Sequence, residues 1–198
     1  MPAPELTRRR PRAARQRQAG DMLVEFGLIV LLFFAFMFTV IELARLMFLT
    51  NTLQEATRRA ASGASVTDPT NTASMDQIRR NAIFRDSAGG LVLMRELTDR
   101  AVRIDYLSVS RDSSGNYAMQ PASGGGPTSA ADNRHHCAVD PYAGNCIRLV
   151  RVRICNPAIT VSCEAMKFRP MTSLFNFQIP LPLATTIVKA QSFGAGPG

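Results

Sequence analysis

The sequence predicts an α+β protein: a long N-terminal helix, with a membrane half and a soluble half, packed against a small antiparallel sheet with short helices. Three observations predict it. Phe26 to Ile41 is an apolar run of 16 residues without a charge, the centre of a segment long enough to cross a bilayer. Neither Pro nor Gly occurs between Leu28 and Ser62, so one helix can run well beyond that segment. Further on, Val102, Ile104 and Tyr106 alternate with Arg103 and Asp105, and Val150, Val152 and Ile154 alternate with Arg151 and Arg153. A period of two is the signature of a half-buried strand.

The 198 residues divide in the order the chain presents them. Residues 1–20 read as a basic leader, 21–44 as a transmembrane helix and 45–62 as its soluble continuation. Residues 63–198 read as an extracytoplasmic α+β domain with a flexible loop over 112–136. Once the leader and anchor are set aside, roughly 150 residues remain, enough for one modest core. The formal net charge is +8, but six arginines against Glu5 give the leader +5 and leave +3 for everything else. Arginines directly before a span hold that end in the cytoplasm. No aromatic residue interleaves them, so a nucleic-acid-binding arm is not expected.

From Met22 to Ala44 the apolar segment is 23 residues long, about 35 Å of helix at roughly 1.5 Å per residue. It is too long for a secretory signal, and no small-residue cleavage site follows it, so it is expected to stay as an anchor. Glu25 and Glu42 stand near its two ends, while Phe33, Phe34, Phe36 and Phe38 crowd its middle. A carboxylate at the threshold of lipid is costly and calls for a function. Beyond the membrane, Leu46, Leu49, Leu53, Ala56 and Ala60 recur at helical spacing, one apolar stripe for the protein's own soluble part.

Gly63 to Thr72 is expected to break the helix. Ser74 with Gln77 three residues on has the spacing of a capping box, and Met75, Ile78 and Ala82 give the short helix that follows one apolar face. Gly89-Gly90 ends it or separates it from another short helix, Leu91 to Leu97. After the strand at Val102, Ser113-Gly115 reads as a turn and the three glycines before Pro127 as a flexible loop. Ala158 to Val161 could return beside the strand at Val150. Met166 to Phe175 reads as partly helical, and a final strand is expected near Thr185 to Ala190.

The four cysteines, Cys137, Cys146, Cys155 and Cys163, all fall in the exported part, which suits two disulfides in an oxidising compartment. Of three possible pairings, the short loops Cys137–Cys146 and Cys155–Cys163 are expected, the second clamping a hairpin that starts with Leu149 to Cys155. Each would contribute about 2–3 kcal/mol in the loop-entropy model. His135-His136-Cys137 raises a metal reading, but the cysteine spacings are not those of zinc knuckles, and the two histidines are expected in a solvated loop. No Walker glycine loop, nucleophile elbow or H-E-x-x-H motif is present. Neither catalytic residues, nor a cofactor, nor a metal is expected, and the chain does not read as an enzyme.

The basic leader, Gly20, Glu25-Phe26, the apolar run and Ile41-Glu42-Leu43-Ala44-Arg45 together resemble a TadE-like minor pseudopilin of the tight-adherence (Tad, type IVc) pilus system. Thr57-Arg58-Arg59-Ala60-Ala61 is similar to the helix end of that family. Arg151-Val152-Arg153, Pro170-Met171-Thr172-Ser173-Leu174 and Ile179-Pro180-Leu181-Pro182 resemble its tail. Leu31-Leu32-Phe33 stands where such proteins often have a proline. The resemblance implies a prepilin peptidase that cuts between Gly20 and Asp21, and assembly through Glu25 and Phe26. The implied partners are other pilins and pseudopilins, an inner-membrane assembly platform and the lipid bilayer, without nucleic acid. It implies a single pass through a bacterial inner membrane, the N-terminus cytoplasmic and the C-terminal domain periplasmic. A soluble domain of this size points to a minor subunit rather than the repeating one. The alternative is a membrane-anchored extracytoplasmic binding or adhesion module that never enters a filament.

Overall fold

A computed structural model describes residues 13–91, 94–123, 129–171, 178–191 and 193, with side chains from residue 20 onward. The fold is α+β, and the chain divides into two compact units, Met1–Arg45 and Leu46–Gly198. Helix α1, Ala13–Val66, contributes to both.

In the first unit α1 is long and apolar enough to cross a membrane, and none of its most apolar stretch is buried. Phe26 is 66 % and Phe36 68 % exposed, a surface suited to lipid or to other helices. The Thr39 hydroxyl donates to the Ala35 carbonyl at 2.8 Å, so this polar group is satisfied within the helix itself, as a lipid surrounding would require. Near the far end, Glu42 accepts from Arg45 at 3.4 Å, one turn away.

In the second unit the rest of α1 buries Leu49, Leu53, Ala56 and Ala60, the stripe read from the sequence, and adds Ala61 and Ala64. The helix does not stop at Gly63, because this glycine serves packing rather than termination. A Cβ there would press within 3.3 Å of the Ile78 side chain, so its absence admits helix α2, Thr72–Ala82, closely against α1. The cap of α2 is Asn71, not Ser74: the Asn71 Oδ1 accepts from the Ser74 N–H at 3.1 Å. Met75 and Ala82 are buried and Ile78 packs against the core, as the spacing predicts.

The segment expected as a helix over Leu91 to Leu97 is instead a hairpin of β1, Gly90–Leu91, with β2, Met94–Thr98. Met94 and Leu97 are both buried, and their three-residue separation imitates helical spacing. The cause lies in the pairing: Gly90 faces Thr98 while Leu91 faces Met94, an irregularity that breaks the two-residue rhythm. A Cβ on Gly90 would collide with the Arg95 carbonyl, so no other residue fits this crossing.

The main sheet is antiparallel, in the order β4-β3-β5-β8. Its strands are β3, Val102–Arg111, β4, Tyr117–Pro121, β5, Leu149–Ile154, and β8, Thr185–Lys189. Val102, Val150, Val152 and Ile154 face the core formed with α1, and odd-numbered residues of β5 face away, giving its alternate burial. Across that core the Thr57 and Thr186 hydroxyls lie 2.8 Å apart, and the Gln191 N–H donates to the Ser65 carbonyl at 2.9 Å. Tyr106 packs edge-on to Phe193 at 5.9 Å between ring centres, and burial pushes its hydroxyl up to about 12.

Between Asp112 and Asn116 the expected turn is present, with Gly115 at φ +86° and the Asp112 carboxylate accepting from Asn116. Those bonds, the side-chain one foremost, hold the Asp112 carboxyl below its usual range. The rest of 112–136 is not the continuous flexible loop expected. It holds β4, an edge strand with all five residues exposed, and the start of helix α3, Ala130–Val139. Neither shows an apolar pattern in sequence, because β4 buries nothing and α3 buries only Ala130 and Asn133. Residues 124–128, the glycine run, lie outside the described residues.

Asn133 anchors α3 by acting as a surrogate strand. It donates to the Ile147 carbonyl at 3.2 Å and accepts from the Ile147 N–H at 2.8 Å. Both residues are buried, so Asn133→Ala orphans two backbone groups and is expected to cost about 1–3 kcal/mol. Urea unfolding of the full chain in detergent checks this; an unchanged midpoint would contradict it.

Ala158 to Val161 does not return as a strand. Val161 is 98 % exposed, and the Asn156 N–H donates to the Glu164 carbonyl at 2.8 Å, so the segment closes a compact loop rather than a hairpin. Lys167–Phe168 is a short strand, β6, paired with β7, Ile179–Pro180. This corrects the helical reading of Met166 to Phe175 in its described part; 172–177 lie outside the described residues.

Candidate functional site

Gly20, Asp21, Glu25 and Phe26 all lie on α1 and all are exposed. Asp21 and Glu25 are four residues apart and share a face, which continues through Leu28 and Leu32. A Cβ placed on Gly20 would meet nothing within 4 Å; the fold therefore makes no demand for glycine at this position. The acids at the two ends of the apolar segment differ. Glu42 is answered by Arg45 within its own helix, whereas no partner for Glu25 stands among the described residues. In water an exposed acid needs no partner; in hydrocarbon it does.

The soluble continuation of α1 carries ordinary helix-surface pairs. Glu55 accepts from Arg59 at 2.9 Å, and this bond draws its carboxyl below the usual range. The Arg59 guanidinium also lies 4.2 Å from the Phe84 ring centre.

Two disulfides, Cys137–Cys146 and Cys155–Cys163, join the cysteines in the pairing expected from the short loops. The first ties α3 to the chain entering β5. His135 and His136 lie on α3 rather than in a loop. His136 stands 3.2 Å from Asp132 through Nε2 and 3.0 Å from the Asn145 amide through Nδ1. Its ring is thus engaged in fixing the 140–146 loop.

A cavity that the sequence pattern did not reveal lies on the outward side of the main sheet. Its volume is about 590 Å³, and Arg134, Arg148, Lys189, Tyr117 and Tyr142 are among its lining residues. The two tyrosine rings lie side by side, 5.8 Å between centres. Arg111 lies over Tyr117 at 5.6 Å and Arg148 over Tyr142 at 5.7 Å. Hydrogen bonding with Tyr142 raises the Tyr117 hydroxyl above the usual tyrosine range. These residues are spread from position 111 to 189, and no local motif could have gathered them.

Residues 20–62 match the family model described as TadE-like protein. No curated protein and no solved structure matches the chain. The match covers the Gly20 and Glu25-Phe26 positions, the apolar run and the buried stripe that follows. Residues 20–62 are thus similar to TadE-like protein, and this likeness supports involvement of the chain in Tad pilus-related function.

Proposed function

We propose that this chain is a minor pseudopilin of a Tad-type pilus, processed by a prepilin peptidase after Gly20 and assembled through the first half of α1. The observation that carries this reading is the pair of unlike acids: Glu42 is neutralised by its own helix, while Glu25, at the other end of an exposed apolar surface, is not answered among the described residues. Cleavage would remove the leader's +5 and leave a free amino group on Asp21. That cation can pair with Glu25 of a neighbouring subunit in a bundle of low dielectric, where such a pair fixes register. Phe26 and the phenylalanines beyond it would then exchange lipid contacts for helix contacts. The peptidase, neighbouring pilins and pseudopilins and the inner-membrane platform are the partners this requires. The chain would sit in the inner membrane by a single pass, its second unit on the periplasmic side. The role is structural rather than catalytic.

A photo-crosslinking residue placed at Phe26 tests this in cells. The expected product is a covalent adduct with a second pilin-type subunit, lost when Glu25→Ala is introduced into the same chain. Adducts with lipid alone would contradict it.

A further inference from the structure

We propose that the outward face of the main sheet, with the cavity at its end, binds an acidic polysaccharide that carries carboxylates on its sugar rings. The face is cationic by construction. Register places Arg103 opposite Arg153, and Arg151 opposite Asp105, on the side away from α1. Asp105 is the one acid of that ladder, and it is consumed by Arg153 at 2.6 Å and Arg151 at 3.2 Å. The same face continues through Lys189, opposite Leu149, to the cavity with Arg134 and Arg148. Among the described residues, none of Arg111, Arg134, Arg148 and Lys189 is ion-paired. Among the described residues no acid lines the cavity, so its cations are left for an external anion.

The tyrosines decide which polyanion fits. Their rings lie against each other, and each has a guanidinium over it. A base could enter between them only by parting rings that already lie together, so the pair is poorly suited to the stacking that holds single-stranded nucleic acid. Tyr117, Tyr142 and Gln191 line the cavity together, which brings hydroxyl and amide groups to the same site as the cations. Alternating hydroxyl and carboxylate groups along a sugar chain complement that mixture of hydroxyl groups, amide and fixed cations. The cavity is built to be rigid. The Cys137–Cys146 bond brackets Tyr142, and the Ser123 N–H donates to the Gly144 carbonyl at 2.9 Å, tying the Tyr142 loop to the end of β4. Disulfides belong to oxidising compartments, where extracellular polysaccharides are met.

The test uses the full chain in lipid nanodiscs, with de-esterified polygalacturonate as probe. Saturable binding is expected, weakened about tenfold or more by methyl esterification of the probe or by the double change Arg148→Gln with Lys189→Gln. Arg58→Gln, a change of a 76 % exposed arginine on α1, is the control for general charge and should leave binding unchanged. Glu25→Ala should also bind as the unaltered chain does, since this site does not depend on the assembly reading. No binding, equal binding of the methyl ester, of polyglutamate or of oligo-dT, or an unaffected double variant with intact disulfides would overturn the proposal.

Discussion

Replacing Glu25 by alanine is expected to leave the protein in the membrane and to remove it from the filament. Insertion needs apolar length, and the uncharged run Phe26 to Ile41 keeps it; deleting a charge at the edge of that run can only ease entry into lipid. On the proposed mechanism, assembly needs the carboxylate for a different reason. In the bundle, the amino group of Asp21 would face a neighbour with nothing to pair with, and breaking a desolvated pair costs about 3–5 kcal/mol. At about 1.4 kcal/mol per factor of ten, incorporation should fall by roughly a hundredfold or more. Carbonate extraction and immunoblotting of sheared filaments check the two halves separately. Wild-type incorporation of Glu25→Ala would remove the carboxylate from the mechanism.

Gly20→Trp is expected to abolish cleavage while leaving the fold intact. Space is open around this position, with nothing within 4 Å of a Cβ, and glycine inside a helix is less favourable than alanine by roughly 0.5–1 kcal/mol. A side chain there should not harm α1, so a processing defect would report the peptidase's own requirement. The uncleaved protein should migrate more slowly by the mass of the leader and retain its six arginines. Normal maturation of Gly20→Trp would show that the cut lies elsewhere.

How far the sequence could be read follows from where each element buries its side chains. The stripe from Leu49 to Ala60 and the alternation at Val150, Val152 and Ile154 were legible because both report the same core from its two sides. β4 and α3 were not, since a strand with every residue exposed and a helix held by Asn133 and a disulfide carry no apolar period. Met94 and Leu97 misled, because an irregular strand crossing gave them helical spacing. The short disulfide loops were legible from cysteine separations of nine and eight. The stretch around Gly20 and Glu25 drew notice for a reason outside packing. Both residues are exposed, and a carboxylate at the edge of an apolar run is unusual; the family match over residues 20–62 includes them. The cationic cavity is the opposite case, assembled by strand register from residues far apart in the chain.

The decisive measurement is the N-terminal sequence of the mature protein extracted from membranes. Asp21 as the first residue, followed by Met22-Leu23-Val24-Glu25, is the predicted result. A mature chain that still carries Arg8 through Arg17 would contradict processing at Gly20, and with it the free amino group on which the pairing to Glu25 depends.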